Sequence, residues 1–83
     1  MSYEKVAQAS KLSIGTKQTM KMIEKGRAIE VFVAQDADPK ITDKVIQLCN
    51  EKGVPLHYVD SMKKLGEACG IEVGAAVAAS IKE

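Results

Sequence analysis

Apolar and polar positions alternate between two periods along this chain, and the switches between them predict its elements. Ser2 caps a short helix over Tyr3–Ala9 that turns Val6 and Ala9 inward. Leu12-Ser13-Ile14 alternates as a short strand and stops at Gly15. From Gly15 to about Lys25 the period is helical. At about 100° per residue, Lys17, Gln18, Lys21 and Lys25 share one arc, and Thr19, Met20, Met22 and Ile23 the opposite one. Gly26 ends that helix. Ile29–Ala34 is β-branched, aromatic and almost continuously apolar, as in a strand buried on both faces.

Asp36-Ala37-Asp38-Pro39 then reads as a turn and a helix start, with Asp38 as cap and Pro39 in the first turn. The helix to Lys52 carries Ile41, Val45, Leu48 and Cys49 as its apolar stripe and stops at Gly53. Val54–Val59 is a strand with Pro55 near its start. Ser61 caps Met62–Cys69, which buries Met62, Leu65 and Cys69 and ends at Gly70. Gly74–Ile81 is ambiguous, because its alanines favour helix. Alternation of the elements before it calls for a closing strand. The order α-β-α-β-α-β-α-β predicts a single α/β domain over residues 1–83, a three-layer α/β/α sandwich around a mixed four-stranded sheet.

Composition narrows the chemistry. An 83-residue chain with no tryptophan and one phenylalanine needs an aliphatic core. Cys49 and Cys69 fall at apolar helix positions, which predicts reduced core thiols and a cytoplasmic protein. No apolar run approaches the ~18 residues of a membrane span. The net charge of +1 conceals an asymmetry: residues 1–27 carry six basic and two acidic groups, residues 28–60 three basic and six acidic. A partner attracted by charge docks at the basic end.

Enzyme chemistry finds no support. His57 is the only histidine and lies in a half-buried strand, where a packed or hydrogen-bonded imidazole is the expected role. Cys49, Cys69 and His57 lack metal-ligand spacing, so no metal or other cofactor is expected. No phosphate-cradling GxGxxG or Walker-type loop occurs. Two features remain. Gly15–Lys21 places cations and an amide beside a helix N-terminus, which favours phosphate. Ile71 and Val73 lie between Gly70 and Gly74, either as the start of the last strand or as an exposed apolar lip able to cover an unpaired base.

Four segments occur together in one order: Gly15-x-x-Gln18-x-x-Lys21, Val33-Ala34-x-Asp36-Ala37-Asp38-Pro39, Ser61-x-x-x-Leu65-Gly66-x-Ala68-x-Gly70, and Ile71-Glu72-Val73-x-Ala75-Ala76. Over essentially the whole chain they resemble the kink-turn-binding ribosomal protein superfamily (L-seven-Ae/L-thirty-e), especially its short bacterial YbxF-type members. The resemblance implies the same sandwich and a non-enzymatic protein that recognises and stabilises RNA kink-turns, sharp bends built on tandem sheared G·A pairs beside a bulge. It further implies that Lys17, Gln18 and Lys21 read guanines and phosphates, with Gly15 and Thr16 bringing the backbone close. Ile71, Glu72, Val73, Gly74, Ala75 and Ala76 match the loop that packs on the flipped-out base, and Asp38 the acidic residue that accepts a hydrogen bond from it. The implied partner is a kink-turn in ribosomal RNA or an mRNA leader, bound by a monomer in or near the ribosome, with no membrane. The alternatives are a ribosome-associated protein–protein module and an RNA-targeting domain serving a modification enzyme in trans.

The chain departs from the family pattern at two places. Lys17-Gln18 stands where the family commonly has Asn-Glu, and Met62 where it often has lysine, with Lys63 and Lys64 following. Glutamine offers one neutral carbonyl in place of a charged acceptor, so a weaker or narrower preference is expected, favouring complete kink-turns over less structured loops.

Overall fold

A computed structural model describes Val6 and residues 11–82. The helix expected over Tyr3–Ala9, with its Ser2 cap and inward Ala9, lies outside the described residues except for Val6, which is helical and fully buried. The remaining elements are β1 (Leu12–Ile14), α1 (Thr16–Glu24), β2 (Ala28–Ala34), α2 (Pro39–Lys52), β3 (Leu56–Val59), α3 (Met62–Ala68) and β4 (Val77–Ile81). The strands form one mixed sheet in the order β1-β4-β2-β3. β4 pairs antiparallel with both β1 and β2, and β2 pairs parallel with β3.

The pleat sorts side chains into two cores. Val31, Val33, Val77, Ala79 and Ile81 face Ile23 of α1 and Val45 and Cys49 of α2. Phe32, Ala34 and Ala78 face the other way, with Val6 and Leu65 of α3. The expected three layers are therefore present. β4 settles the ambiguity of the alanine-rich tail. It is central, paired on both edges, and all five of its residues are buried. Two hydrogen-bonded ladders override the weak helix preference of alanine.

Local chemistry explains the boundaries. The Asp38 carboxylate accepts the Lys40 amide at 3.0 Å ahead of Pro39, and the Ser61 hydroxyl accepts the Lys64 amide at 3.2 Å. Gly26, Gly53 and Gly70, where the pattern stops three helices, all have positive φ. Pro55 precedes β3 rather than entering it, and its carbonyl accepts the Val31 amide at 3.0 Å. Cys69 caps α3 rather than belonging to it.

Two apolar assignments need correction. Ile41 lies outside the α2 stripe, 42% exposed, while Thr42 beside it is only 6% exposed. Around the helix Thr42 lies about 20° from the buried Cys49 and Ile41 about 80°, so the buried stripe passes through Thr42. Ile29 is strand but 47% exposed, next to an irregularity in the β2–β4 register between Ala28 and Glu30.

His57 is packed and hydrogen-bonded. Its Nε2 lies 2.9 Å from Glu30 Oε1, and its ring stacks on Phe32 with centroids 5.5 Å apart. The carboxylate comes from 27 positions away, on the neighbouring strand. Among the described residues, no group of three or more His, Cys, Asp or Glu is placed to hold a metal, and no helix is long and apolar enough to cross a membrane.

Cys49 and Cys69 are free thiols packed in different cores on opposite sides of the sheet. Burial pushes both thiols up from their ordinary pKa. Native protein should therefore react with a thiol-specific disulfide reagent slowly, at the partly exposed Cys69 first, and at Cys49 only on unfolding. Mass mapping of the labelled site checks this; early labelling of Cys49 would contradict it. Because only the unfolded chain ionises near the ordinary thiol pKa, stability should fall as pH rises through and above that value.

Candidate nucleic-acid interface

β1, β2 and β3 run one way and β4 the other. The C-terminal ends of the first three strands and the start of β4 therefore meet at one end of the sheet. The Gly15 turn, the Gln35–Asp38 loop, the Asp60–Ser61 turn and the Ile71–Ala76 loop all emerge there. Backbone hydrogen bonds tie them to one another. The Gly15 amide donates to the Val77 carbonyl at 2.9 Å, directly after the Ile71–Ala76 loop, and the Ala34 amide donates to Ala76 at 2.9 Å. Segments separated by some 60 positions in sequence are thus one hydrogen bond apart.

Gly15 makes the first wall. Its φ of 98° and ψ of 157° suit glycine, and it caps α1 with no side-chain acceptor. The first amides of α1 have no intrahelical partner and no acidic side chain in the first turn to meet them. Lys17, Gln18 and Lys21 are exposed, while Thr19 and Ile23 are buried beneath. Thr16 is half-buried beside Gly15. Lys17 is poorly placed for stability. It lies in the first turn, where the helix dipole disfavours a cation, and one turn from Lys21. A bound phosphate would reverse both penalties.

The Ile71–Ala76 loop makes the second wall. Val73 is 70% exposed, Glu72 and Gly74 are exposed, and Ile71 is half-buried against the α3 core. These residues do not begin β4, which starts at Val77, so the apolar lip is the arrangement present. Ala75 is core, and Ala76 is half-buried. Those two anchor the loop rather than supply its outer surface.

Between the walls, Asp38 is exposed, and one of its oxygens is engaged in capping α2. Asp36 does something its sequence position did not disclose. Its Oδ1 accepts the Met62 amide at 2.8 Å, bridging this loop to the start of α3. Met62 in turn accepts the Ala75 amide at 3.0 Å, and Gly66 accepts that of Ile71 at 3.0 Å. The Val73–Gly74 backbone lies directly on Gly66, where a Cβ would run into the Val73 carbonyl. α3 is thus the bed on which the lip rests. The one legible signal of this was a glycine inside a helix, at a cost of about 1 kcal/mol relative to alanine. The Asp36 bridge has no local signal, since its partner lies 26 residues away. Lys63 and Lys64 flank this side, with Lys64 3.9 Å from Asp60 in an exposed pair of little energetic weight.

Comparison with known proteins agrees with this fold. Residues 2–83 match the model of the ribosomal protein L7Ae/L30e/S12e/Gadd45 family. The chain is 58% identical over 82 residues to an RNA-binding protein of Geobacillus sp. (strain WCH70), covering 99% of this chain and 100% of that one. It is 57% identical, with the same coverage, to the RNA-binding protein YbxF of Geobacillus stearothermophilus. Among solved structures, a Giardia lamblia 15.5 kD RNA-binding protein superimposes with a TM-score of 0.84 at 33% identity, over 98% of this chain and 68% of that one.

Proposed function

Because the chain belongs to the ribosomal protein L7Ae/L30e/S12e/Gadd45 family, we propose that it is a non-enzymatic RNA-binding protein that recognises and stabilises kink-turns in ribosomal RNA or mRNA leaders. The observation that carries this reading is the Gly15–Val77 hydrogen bond, which holds the cationic start of α1 beside the Ile71–Ala76 lip. Neither wall alone suffices. A helix start with lysines attracts any phosphate, and an apolar lip covers any exposed base. Together they suit an RNA that presents crowded phosphates and an extruded base at once, as a sharp bend does. A protein that binds the bent form more tightly shifts the RNA population towards it, and no covalent step is needed. Relatives named as RNA-binding proteins support the partner class.

In this reading, Lys17, Gln18 and Lys21 meet guanine edges and phosphates, with Gly15 and Thr16 admitting the backbone closely. Ile71 and Val73 cover the flipped base, and the free oxygen of Asp38 accepts from it. Glu72 and Gly74 border that contact, and Ala75 and Ala76 hold it in place. Gel-shift titration against three RNAs tests the proposal: a complete kink-turn, one with its G·A pairs replaced by Watson–Crick pairs, and a loop lacking the second stem. The complete kink-turn should bind at least about tenfold more tightly than the Watson–Crick version. The loop should bind more weakly than the kink-turn, because Gln18 cannot supply the charged acceptor common in the family. Equal affinity for the first two would reduce the protein to a generic cation or to a protein–protein module. Equal affinity for the kink-turn and the loop would remove the narrowed preference alone.

A further inference from the structure

A groove of about 490 Å³ runs away from the candidate interface between β1, the terminal strand of the sheet, and the flank of α1. One wall is the α1 ridge Gln18-Met22-Lys25, at helical spacings of four and three. Lys11 and Ser13 of the β1 side form the other wall, and Arg27 closes the far end. Lys11, Lys25 and Arg27 are exposed, and the described residues lining the groove include no aspartate or glutamate. Ser13 adds an independent sign. It is 8% exposed, and its Oγ has no hydrogen-bond partner. A buried hydroxyl left unpaired costs free energy in the free protein; its Oγ has almost no exposure, so an anion seated in the groove would supply an acceptor once the side chains over it shift. Thr19 and Ser80 share that condition but are not among the residues lining the groove.

We infer that this groove binds the phosphate backbone of the RNA stem leaving the bend, so that Gln18 ends the base-reading surface and begins a phosphate track through Ser13 and Lys25 to Lys11 and Arg27. The inference rests on the RNA-binding reading above and extends it to a contact that carries no base specificity. Continuity through Gln18, which belongs to both surfaces, selects a nucleic-acid strand over a free anion. From Gln18 to Lys25 the ridge spans about 10 Å, enough for successive phosphates of one strand. Arg27 also donates through Nη2 to the Lys82 carbonyl at 3.1 Å, which positions its guanidinium and leaves its other N–H groups available.

The test uses Lys11→Ala combined with Lys25→Ala. Both lysines are exposed, and Arg27 is spared because it secures the end of β4. Binding to the kink-turn RNA and to its Watson–Crick version is titrated across salt. For two lost phosphate contacts the slope of log K against log salt should become shallower by about 1.4–1.8, while the preference between the two RNAs stays unchanged. Ser13→Ala should weaken binding severalfold without lowering the melting temperature, since its hydroxyl bonds nothing in the free protein. A wild-type slope in the double variant overturns the inference, as does a changed preference at constant slope. If the unmodified protein does not prefer the kink-turn, the kink-turn reading falls by itself. The slope measured on the Watson–Crick RNA then decides the groove alone: shallower supports it and unchanged overturns it.

Discussion

Lys21→Ala should leave the fold as stable as before and weaken kink-turn binding by about 1–3 kcal/mol, roughly 5- to 150-fold. The two halves of this expectation have separate causes. Lys21 is exposed, one turn from Lys17 and one turn from Lys25. Like charges at that spacing cost a helix about 0.2–0.5 kcal/mol per pair. Against this, Lys21 lies in the last turn of α1, where the dipole favours a cation by a similar amount, and alanine is the better helix former. These effects nearly cancel, so the melting temperature should move by no more than a few degrees. A binding loss then reports a contact with RNA rather than damage to the fold. Salt titration divides the possibilities further. A guanine-reading lysine lowers affinity mainly for the kink-turn over its Watson–Crick version, whereas a phosphate-directed one lowers both and reduces the salt slope by about one unit. Unchanged affinity for the kink-turn would remove Lys21 from the interface.

Gly66→Ala should impair binding from a site that contacts no RNA. The added Cβ runs into the Val73 carbonyl and crowds the Val73 carbonyl carbon at 3.0 Å and Gly74 Cα at 3.2 Å. These are backbone atoms, so relief requires the lip to lift from α3. Overpacking of this kind costs about 1–3 kcal/mol, and replacing a helical glycine by alanine returns about 1 kcal/mol. The net destabilisation of about 0–2 kcal/mol should lower the melting temperature by up to about 15 °C in a domain of this size and leave it folded at room temperature. Binding should suffer more, because a lip moved off α3 loses the base contact proposed for it, an aliphatic cover worth about 1.5–3 kcal/mol for one fully buried branched side chain. Val73→Asp is the companion variant. Val73 is exposed, so the loop keeps its place while the apolar cover is lost. If Gly66→Ala binds and melts like the unmodified protein, α3 is not the bed of the loop; if Val73→Asp binds normally, the lip does not cover a base.

Much of the architecture was legible because it is written locally. Helix starts at Asp38-Pro39 and Ser61 and helix stops at Gly26, Gly53 and Gly70 depend on side chains and backbone angles within a few positions of each other. The buried strand Val31–Ala34 announces itself by continuous apolar character. The two faces of α1 follow from 3.6-residue periodicity, with Lys17, Gln18 and Lys21 outside and Thr19 and Ile23 inside. What failed locally failed for a non-local reason. Periodicity assigned Ile41 to the α2 stripe, but the folded helix buries Thr42 and leaves Ile41 exposed. His57 had no carboxylate nearby in sequence, yet strand pairing supplies Glu30.

The amino-acid sequence by itself determined the identity of the elements, the cationic face of α1 and the apolar character of Ile71–Val73, because propensity, capping and charge act over a few residues. Only the tertiary structure decided which of these features form one surface. The parallel run of β1, β2 and β3 with β4 reversed brings their connecting loops to one end of the sheet, and the Gly15–Val77 bond joins the two walls there. Likewise, the Asp36–Met62 bridge and the seat of Val73 on Gly66 exist only after α3 has packed. The groove beside Ser13 exists only because β1 is an edge strand flanked by α1. These contacts join groups distant along the chain, and their closure is driven by burial of the two cores rather than by any local preference.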